Sequence, residues 1–354
     1  VEKITVKLPD VSYDICIANG LLCQADKLLC QVTASKKVVI VTDETVDGLY
    51  GERLVMNLTA AGFQVAKFII PPGETSKSLA MLEKLYSSFL EAKLTRSDLV
   101  IAFGGGVVGD LTGFAAATYL RGIAYVQIPT TLLAQIDSSV GGKTAINLPQ
   151  GKNLVGAFYQ PAVVLIDPEL LRSLPQRTLR DGMAETIKYG AIADWNLFEQ
   201  LVDCRSREEF LSQADRVIAA CCRIKRDVVE EDEKDIGRRM ILNFGHSIGH
   251  AIEQVYRYQT YTHGEAVAIG MAKITERSEM LGLSQPGTAA RLREALIGQG
   301  LPIETEGWDR TALFNAMTLD KKNATDGLQL VVLRALGQAD VIRIRLNDVA
   351  DAFL

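Results

Sequence analysis

The sequence predicts a two-part chain: an α/β first half on a mostly parallel sheet, then a mainly α-helical second half. Three observations carry this. Apolar strand-like runs alternate with helical stretches up to about Leu174. One of those runs passes through Gly104-Gly105-Gly106 straight into a helical stretch. After Leu174-Pro175 the pattern turns to long segments of helical periodicity. Strands apolar nearly throughout, with helices between them, require a sheet covered on both faces.

The elements follow in order. Val1–Lys7 alternates like a strand, and Lys37–Asp43 is a strand ending in an acid. Phe63–Ile70 is another, stopped by Pro71-Pro72-Gly73, and Ser78–Ala92 is an amphipathic helix. Asp98–Phe103 is a third strand, followed by a helix over 107–119 and strands over 124–128 and 162–166. The segments 177–203, 207–231, 237–257, 264–282 and 286–299 read as helices. Strand-like runs 328–335 and 340–345 flank Gly337 and predict a hairpin. A chain of 354 residues exceeds the usual single-core limit, so two domains are expected, 1–176 and 177–354.

Hydrophobic content of 48% and charged content of 23% suit a soluble globular protein. A net charge of −5 offers no general field for a polyanion, so nucleic acid is not an expected partner. No stretch reaches the roughly 18 apolar residues of a membrane span, and Val1–Lys7 lacks the apolar core of a signal peptide. Cys16, Cys23, Cys30, Cys204, Cys221 and Cys222 show no CxxC spacing and are read as reduced thiols of a cytoplasmic protein.

Gly104-Gly105-Gly106-Val107-Val108-Gly109-Asp110 follows a strand and opens a helix, the context of a phosphate-binding turn. Glycines let the backbone approach an anion, and the helix start aims unbonded N–H groups at it. The alternative is a tight strand-to-helix turn without a ligand. Asp43, placed to meet a ribose hydroxyl, and Pro129-Thr130-Thr131, whose hydroxyls could meet a dinucleotide, favour the first reading.

All three histidines, His246, His250 and His263, fall in one short stretch. Asn243–His250 reads as helical, so His246 and His250, at i and i+4, project from one face. A carboxylate is the expected further donor, and Glu185 and Lys188 lie one turn apart on the first helix of the second half. Imidazoles with a carboxylate and an open position suit a catalytic zinc; the alternative is three buried, hydrogen-bonded histidines. The spacing is not HExxH, so no metalloprotease is implied. Basic and polar groups also sit at loop-like positions: Asp137 to Lys143, Gly151-Lys152-Asn153, Arg121 and Asp320-Lys321-Lys322, with Lys225 and Arg239 on helices. Each alone reads as a solvated charge, but Lys143 and Lys152 are flanked by glycines.

Several blocks together resemble the 3-dehydroquinate synthase family of sugar-phosphate cyclases. They are GGGVVGDLTGFAAATYLRGI at 104–123, PTTLLAQIDSSVGGKTAIN at 129–147, GKNLVGAFYQP at 151–161, GMAETIKYG at 182–190, NFGHSIGHAIE at 243–253 and HGEAVAIGM at 263–271. The resemblance runs from about Asp43 to Lys322. It implies a Rossmann-like NAD-binding domain, a helical metal- and substrate-binding domain and a homodimer. It also implies a lyase of the shikimate pathway that turns 3-deoxy-D-arabino-heptulosonate 7-phosphate into 3-dehydroquinate and phosphate.

By motif, the resemblance makes Glu185, His246 and His263 the ligands of Zn2+, for which Co2+ can substitute, and turns His250 toward the substrate. It surrounds the substrate with Asp137, Lys188, Lys225, Arg239 and Asn243. Lys152, Asn153, Arg121, Lys321 and Lys322 hold its phosphate. Asp43, Glu74, Lys77, Gly105, Gly106, Asp110, Thr130, Thr131, Lys143 and Lys152 meet the nucleotide. Rival readings are a metal-dependent polyol dehydrogenase, which needs no phosphate cluster, and a sister cyclase whose substrate lacks a carboxylate. Arg239 and Asn243 would have no use in the latter, so a carboxylate-bearing substrate is expected. A non-enzymatic regulatory module would not need Glu185, Lys188 and Lys225 together.

Overall fold

A computed structural model describes residues 1–235, 237–318 and 327–354. The chain forms two units. The first comprises Val1–Leu174 and Ala214–Glu230, the second Pro175–Gln213 and Glu231–Leu354. The boundary read at residue 176 therefore leaves out one feature. The segment Ala214–Glu230, expected in the second part, groups with the first.

The first unit is built on a seven-stranded sheet of order β1-β2-β9-β6-β5-β3-β4. Its strands are β1 (Glu2–Lys7), β2 (Ser12–Ile17), β3 (Lys37–Asp43), β4 (Gln64–Ile70), β5 (Leu99–Gly104), β6 (Ala124–Pro129) and β9 (Val163–Ile166). Only the β1–β2 pairing is antiparallel, and β2 joins β9 in parallel to continue the sheet. Central β5 is buried at every position, as a strand covered on both sides must be.

Side-chain alternation sends Val38, Ile40, Ile101 and Phe103 into one core with α1 (Ala25–Val32) and the helix α3 (Glu52–Ala60) that follows the short turn α2 (Glu44–Val46). It sends Val39, Val41, Val100 and Ala102 into a second core with α4 (Leu79–Glu91) and α5 (Gly106–Thr118). Each fully buried side chain of this kind contributes roughly 1.5–3 kcal/mol.

The Gly141-Gly142 and Gly151 surroundings, expected to be loops, instead bound a two-stranded hairpin, β7 (Lys143–Leu148) with β8 (Gly151–Phe158). Half-exposed β8 lacks the apolar run that marks the sheet strands, which is why it reads as loop.

In the second unit the expected helix 177–203 is two helices, α6 (Gln176–Ala193) and α7 (Trp195–Asp203). Asp194 divides them: its carboxylate accepts from Asn196 N and Leu197 N and caps α7. Helix α8 (Arg207–Glu231), most of which groups with the first unit, matches its expected span. The expected helix 237–257 is likewise interrupted. A 3₁₀ turn, Arg238–Asn243, precedes α9 (His246–Val255), with Gly245 at φ 80 between them. Helices α10 (His263–Met280) and α11 (Thr288–Gly298) follow the periodic pattern. Helix α12 (Arg310–Thr318) and the terminal α13 (Leu346–Phe353) had no such signal, whereas the hairpin β10 (Leu328–Ala335) with β11 (Gln338–Ile344) did.

Candidate functional site

Three helices of the second unit bring one carboxylate and three imidazoles together. Glu185 and Lys188 lie on the buried middle of α6. His246 opens α9, His250 follows one turn later, and His263 opens α10. The sequence secures these placements locally. Gly245 adopts a left-handed φ of 80, and a Cβ there would come within 2.8 Å of Val267 O on α10. Gly264 packs so closely that a Cβ would sit 2.2 Å from Asp181 O on α6. The start of α10 is fixed by a capping box between Thr262 and Glu265, and by Asp181 Oδ1, which accepts from Gly264 N at 2.5 Å.

Glu185 is fully buried, and Lys188, equally buried, ion-pairs with its Oε2. Its Oε1 lies 3.3 Å from His246 Nε2 and 3.6 Å from His263 Nε2. Donor atoms of Glu185, His246 and His263 all fall within 4.8 Å of one another. Among the described residues neither Glu185 oxygen has a hydrogen bond of good geometry. Two imidazole nitrogens converging on one oxygen of a buried carboxylate, the oxygen turned away from Lys188, are a donor set that a divalent cation would complete, so the residues fit a metal.

The protonation pattern agrees. Burial would raise the Glu185 carboxyl, but the Lys188 ammonium and the imidazoles hold it well below the usual carboxylate range. Burial opposes charge on His263, yet the carboxylates of Glu185 and Glu253 on its two sides outweigh it and lift the imidazole to about 10. His250 is pushed the other way, by the crowding chain and then by His246 and His263.

Arg239 is buried in the 3₁₀ turn before α9, where Nη1 donates to Glu233 O at 2.7 Å. Asn243 is exposed at the end of that turn. Glu253 and Asp181 were not anticipated. Glu253 lies seven residues after His246 on the same helix face, a spacing that could have revealed it.

In the first unit the glycine turn lies where the chain reverses its progress across the sheet. From β3 the chain runs to β4 on one side, whereas β5 lies on the other. Asp43 and Gly104 end these two neighbouring strands, the usual position of a ligand in an open α/β sheet. A Cβ on Gly105 would come 3.1 Å from Thr131 Cγ2, and one on Gly106 3.1 Å from Ser138 Oγ, so the turn is pressed against the β6 end. Thr130 N donates to Gly104 O at 3.0 Å, and its buried hydroxyl has no hydrogen-bond partner among the described residues. An open helix start beside an unsatisfied hydroxyl fits a phosphate-bearing ligand. Asp43 Oδ1 also accepts from Thr45 N and Val46 N, so one of its oxygens caps α2.

Lys77 gathers several expected residues of this unit. Its Nζ lies 2.7 Å from Asp110 Oδ2, 2.5 Å from Asn153 Oδ1 and 3.7 Å from Glu74 Oε1. Burial raises the Asp110 carboxyl, and Lys77 partly offsets this. Asp137 Oδ1 accepts from Lys225 Nζ at 2.7 Å. Lys143 and Lys152 stand on the β7–β8 hairpin, and Arg121 on the exposed turn after α5 at φ 65. Lys321 and Lys322 lie outside the described residues.

The fold is shared with solved sugar-phosphate cyclases. A 2-deoxy-scyllo-inosose synthase complexed with carbaglucose-6-phosphate, NAD+ and Co2+ superposes with a TM-score of 0.88 at 24% identity, covering 99% of each chain. A 2-epi-5-epi-valiolone synthase from Streptomyces hygroscopicus, with NAD+ and Zn2+ bound, gives 0.88 at 27% identity over 98% of this chain and 97% of its own. The protein thus has the architecture of the sugar-phosphate cyclase class.

Within that class the match is narrower. The family models described as 3-dehydroquinate synthase N-terminal and C-terminal match residues 67–181 and 182–323. The 3-dehydroquinate synthase of Clostridium botulinum is 48% identical over 338 residues, 96% of this chain and 97% of that one. The chain belongs to the 3-dehydroquinate synthase family.

Proposed function

We propose that this chain converts 3-deoxy-D-arabino-heptulosonate 7-phosphate to 3-dehydroquinate and inorganic phosphate, as a carbon–oxygen lyase of the shikimate pathway. One observation carries the reading: Glu185, His246 and His263 converge beside Lys188, in a chain 48% identical to a 3-dehydroquinate synthase along almost its whole length. Glu185, His246 and His263 would hold a divalent ion, zinc or cobalt, since imidazole–carboxylate sets accept either. Gly105, Gly106, Thr130 and Thr131 would hold NAD at the start of α5. Asp43, Glu74, Lys77, Asp110, Lys143 and Lys152 would contact the rest of it. When bound, the ion supplies a Lewis acid that acidifies a substrate hydroxyl, and the nucleotide supplies a reversible hydride acceptor.

The remaining work belongs to side chains. His250, pushed toward its neutral form, is suited to take or share a substrate proton. Lys188 pairs with Glu185 and offers its other N–H donors to substrate oxygens. Arg239 presents a planar fork for the substrate carboxylate, with Asn243 four residues further on. Asp137 and Lys225, already paired, would bind substrate hydroxyls as a unit. Lys152, Asn153 and Arg121, with Lys321 and Lys322, would hold the phosphate. Many fixed anchors suit a reaction that must keep one flexible substrate oriented through several steps. We read the enzyme as a cytoplasmic homodimer, in keeping with the family resemblance.

The test is phosphate release from the heptulosonate phosphate with NAD well below substrate concentration. Phosphate should appear with no lasting NADH absorbance, and a chelator should stop it. Steady NADH accumulation would instead make the protein a dehydrogenase.

A further inference from the structure

Two carboxylates face the two nitrogens of one imidazole. His263 Nε2 is 3.6 Å from Glu185 Oε1, and His263 Nδ1 is 3.4 Å from Glu253 Oε2. His246 shows the same polarity through a different tether: Nε2 is 3.3 Å from Glu185 Oε1, and Nδ1 is 3.1 Å from Phe244 O. Both rings are held at Nδ1 with Nε2 turned to Glu185.

We propose that Glu253 is a positioning residue that keeps the proton of His263 on Nδ1 and so leaves its Nε2 lone pair to the metal. This rests on the metal site proposed above. A neutral imidazole has one protonated nitrogen and one lone pair, and a ring without a partner can present either. For His246 a backbone carbonyl makes the choice. For His263, the first residue of α10 with its side chain 30% exposed, the acceptor is a carboxylate only 7% exposed. A carboxylate on the far nitrogen both orients the ring and strengthens Nε2 as a donor. Helix α9 thus supplies one ligand, His246, and the orienting group for the ligand on α10.

The same atoms admit a different occupant. Donor atoms of His250, Glu253 and His263 also lie within 4.8 Å of one another and could hold a second ion. That would require His263 to lose the Nδ1 proton while Nε2 ligates the first ion. The protonated tautomer is incompatible with it, so experiment separates the two.

Metal-stripped full-length wild type, Glu253→Gln, Glu253→Ala and His263→Ala are titrated with Zn2+ against a chelating indicator, with circular dichroism recording the fold of each. Glu253→Ala should weaken zinc binding by about 10–100-fold. Glu253→Gln should weaken it less, because the amide oxygen still accepts the Nδ1 proton. Wild-type affinity in both variants overturns the proposal. So does a second zinc equivalent that is present in the wild type and absent from Glu253→Gln. If His263→Ala binds zinc as the wild type does, the metal site itself is misassigned and the proposal falls with it. A nitrogen–proton correlation spectrum of the zinc-loaded wild type gives an answer independent of any variant, since the chain has only three histidines to resolve. His263 should carry its proton on Nδ1, and a proton on Nε2 overturns the proposal.

Discussion

Lys77 Nζ lies 2.5 Å from Asn153 Oδ1, joining the segment before α4 to the third residue of the β8 strand. An ammonium only donates, so the Asn153 oxygen must face it and the amide Nδ2 is left as the donor of that side chain. The same ammonium neutralises the Asp110 carboxylate on α5. A residue expected only to touch a nucleotide therefore also sets the orientation of one expected to hold a phosphate.

Replacing Lys77 by Met should remove both contacts and leave Asp110 without its counter-charge. A loss of about 2–3 kcal/mol in urea unfolding is expected, less than for a fully buried pair because Asp110 retains some solvent access. Binding of inorganic phosphate, measured by calorimetry, should weaken as well. Adding Asn153→Ala to Lys77→Met should then cost less than Asn153→Ala costs alone; strict additivity would show that the two act separately.

His250 and His246 share a helix face but should behave differently. His250→Ala should retain zinc after dialysis while turnover falls by about 100-fold or more. His246→Ala or His263→Ala should empty the site. Metal analysis of the three purified variants decides this, and loss of zinc from His250→Ala would make it a ligand after all.

In the metal-free protein pH should act in two opposed directions. The His263 imidazole is raised from its ordinary 6.5 to about 10, so its contacts with Glu185 and Glu253 favour the protonated form. Their contribution to stability is complete below pH 6.5 and is lost as pH rises through about 10. Zinc must displace that proton, so apparent zinc affinity should climb over the same range. The melting temperature of the apoprotein should thus fall while zinc binding tightens, and proton uptake on zinc binding would contradict the assignment.

Arg239→Gln should weaken substrate binding far more than NAD binding. Calorimetric titration with each ligand separates the two. Equal losses would mean that the buried guanidinium, held to Glu233 O, serves the fold and not a substrate carboxylate.

What could be read from sequence divides along physical lines. The parallel strands were legible because a strand covered on both faces must be apolar throughout, as β5 is. The hairpin β7–β8 was not, because its half-exposed strand resembles a polar loop until it is paired. Asp194 and Gly245 interrupt helical patterns through a cap and a positive φ, both local signals weaker than the periodicity around them. The i,i+4 spacing put His246 and His250 on one face, but only tertiary packing brings Glu185 and His263 to them. Family motifs supplied that pairing. Glu253 and His263 both lie within those motif blocks, but no role was read for Glu253 and nothing in sequence paired the two.

The return of Ala214–Glu230 to the first unit has a consequence for how this molecule can be dissected or inherited. A fragment cut at residue 176 would lack the helix that carries Cys222, whose thiol meets Gln135 O at 3.4 Å, and Lys225, the partner of Asp137. The complementary fragment would carry Val217, Ile218 and Cys221, all fully buried in the intact chain, on a segment that groups with the other unit. No single scission yields two self-sufficient pieces. Shuffling of genes at one crossover would therefore be expected to transmit both units together or neither.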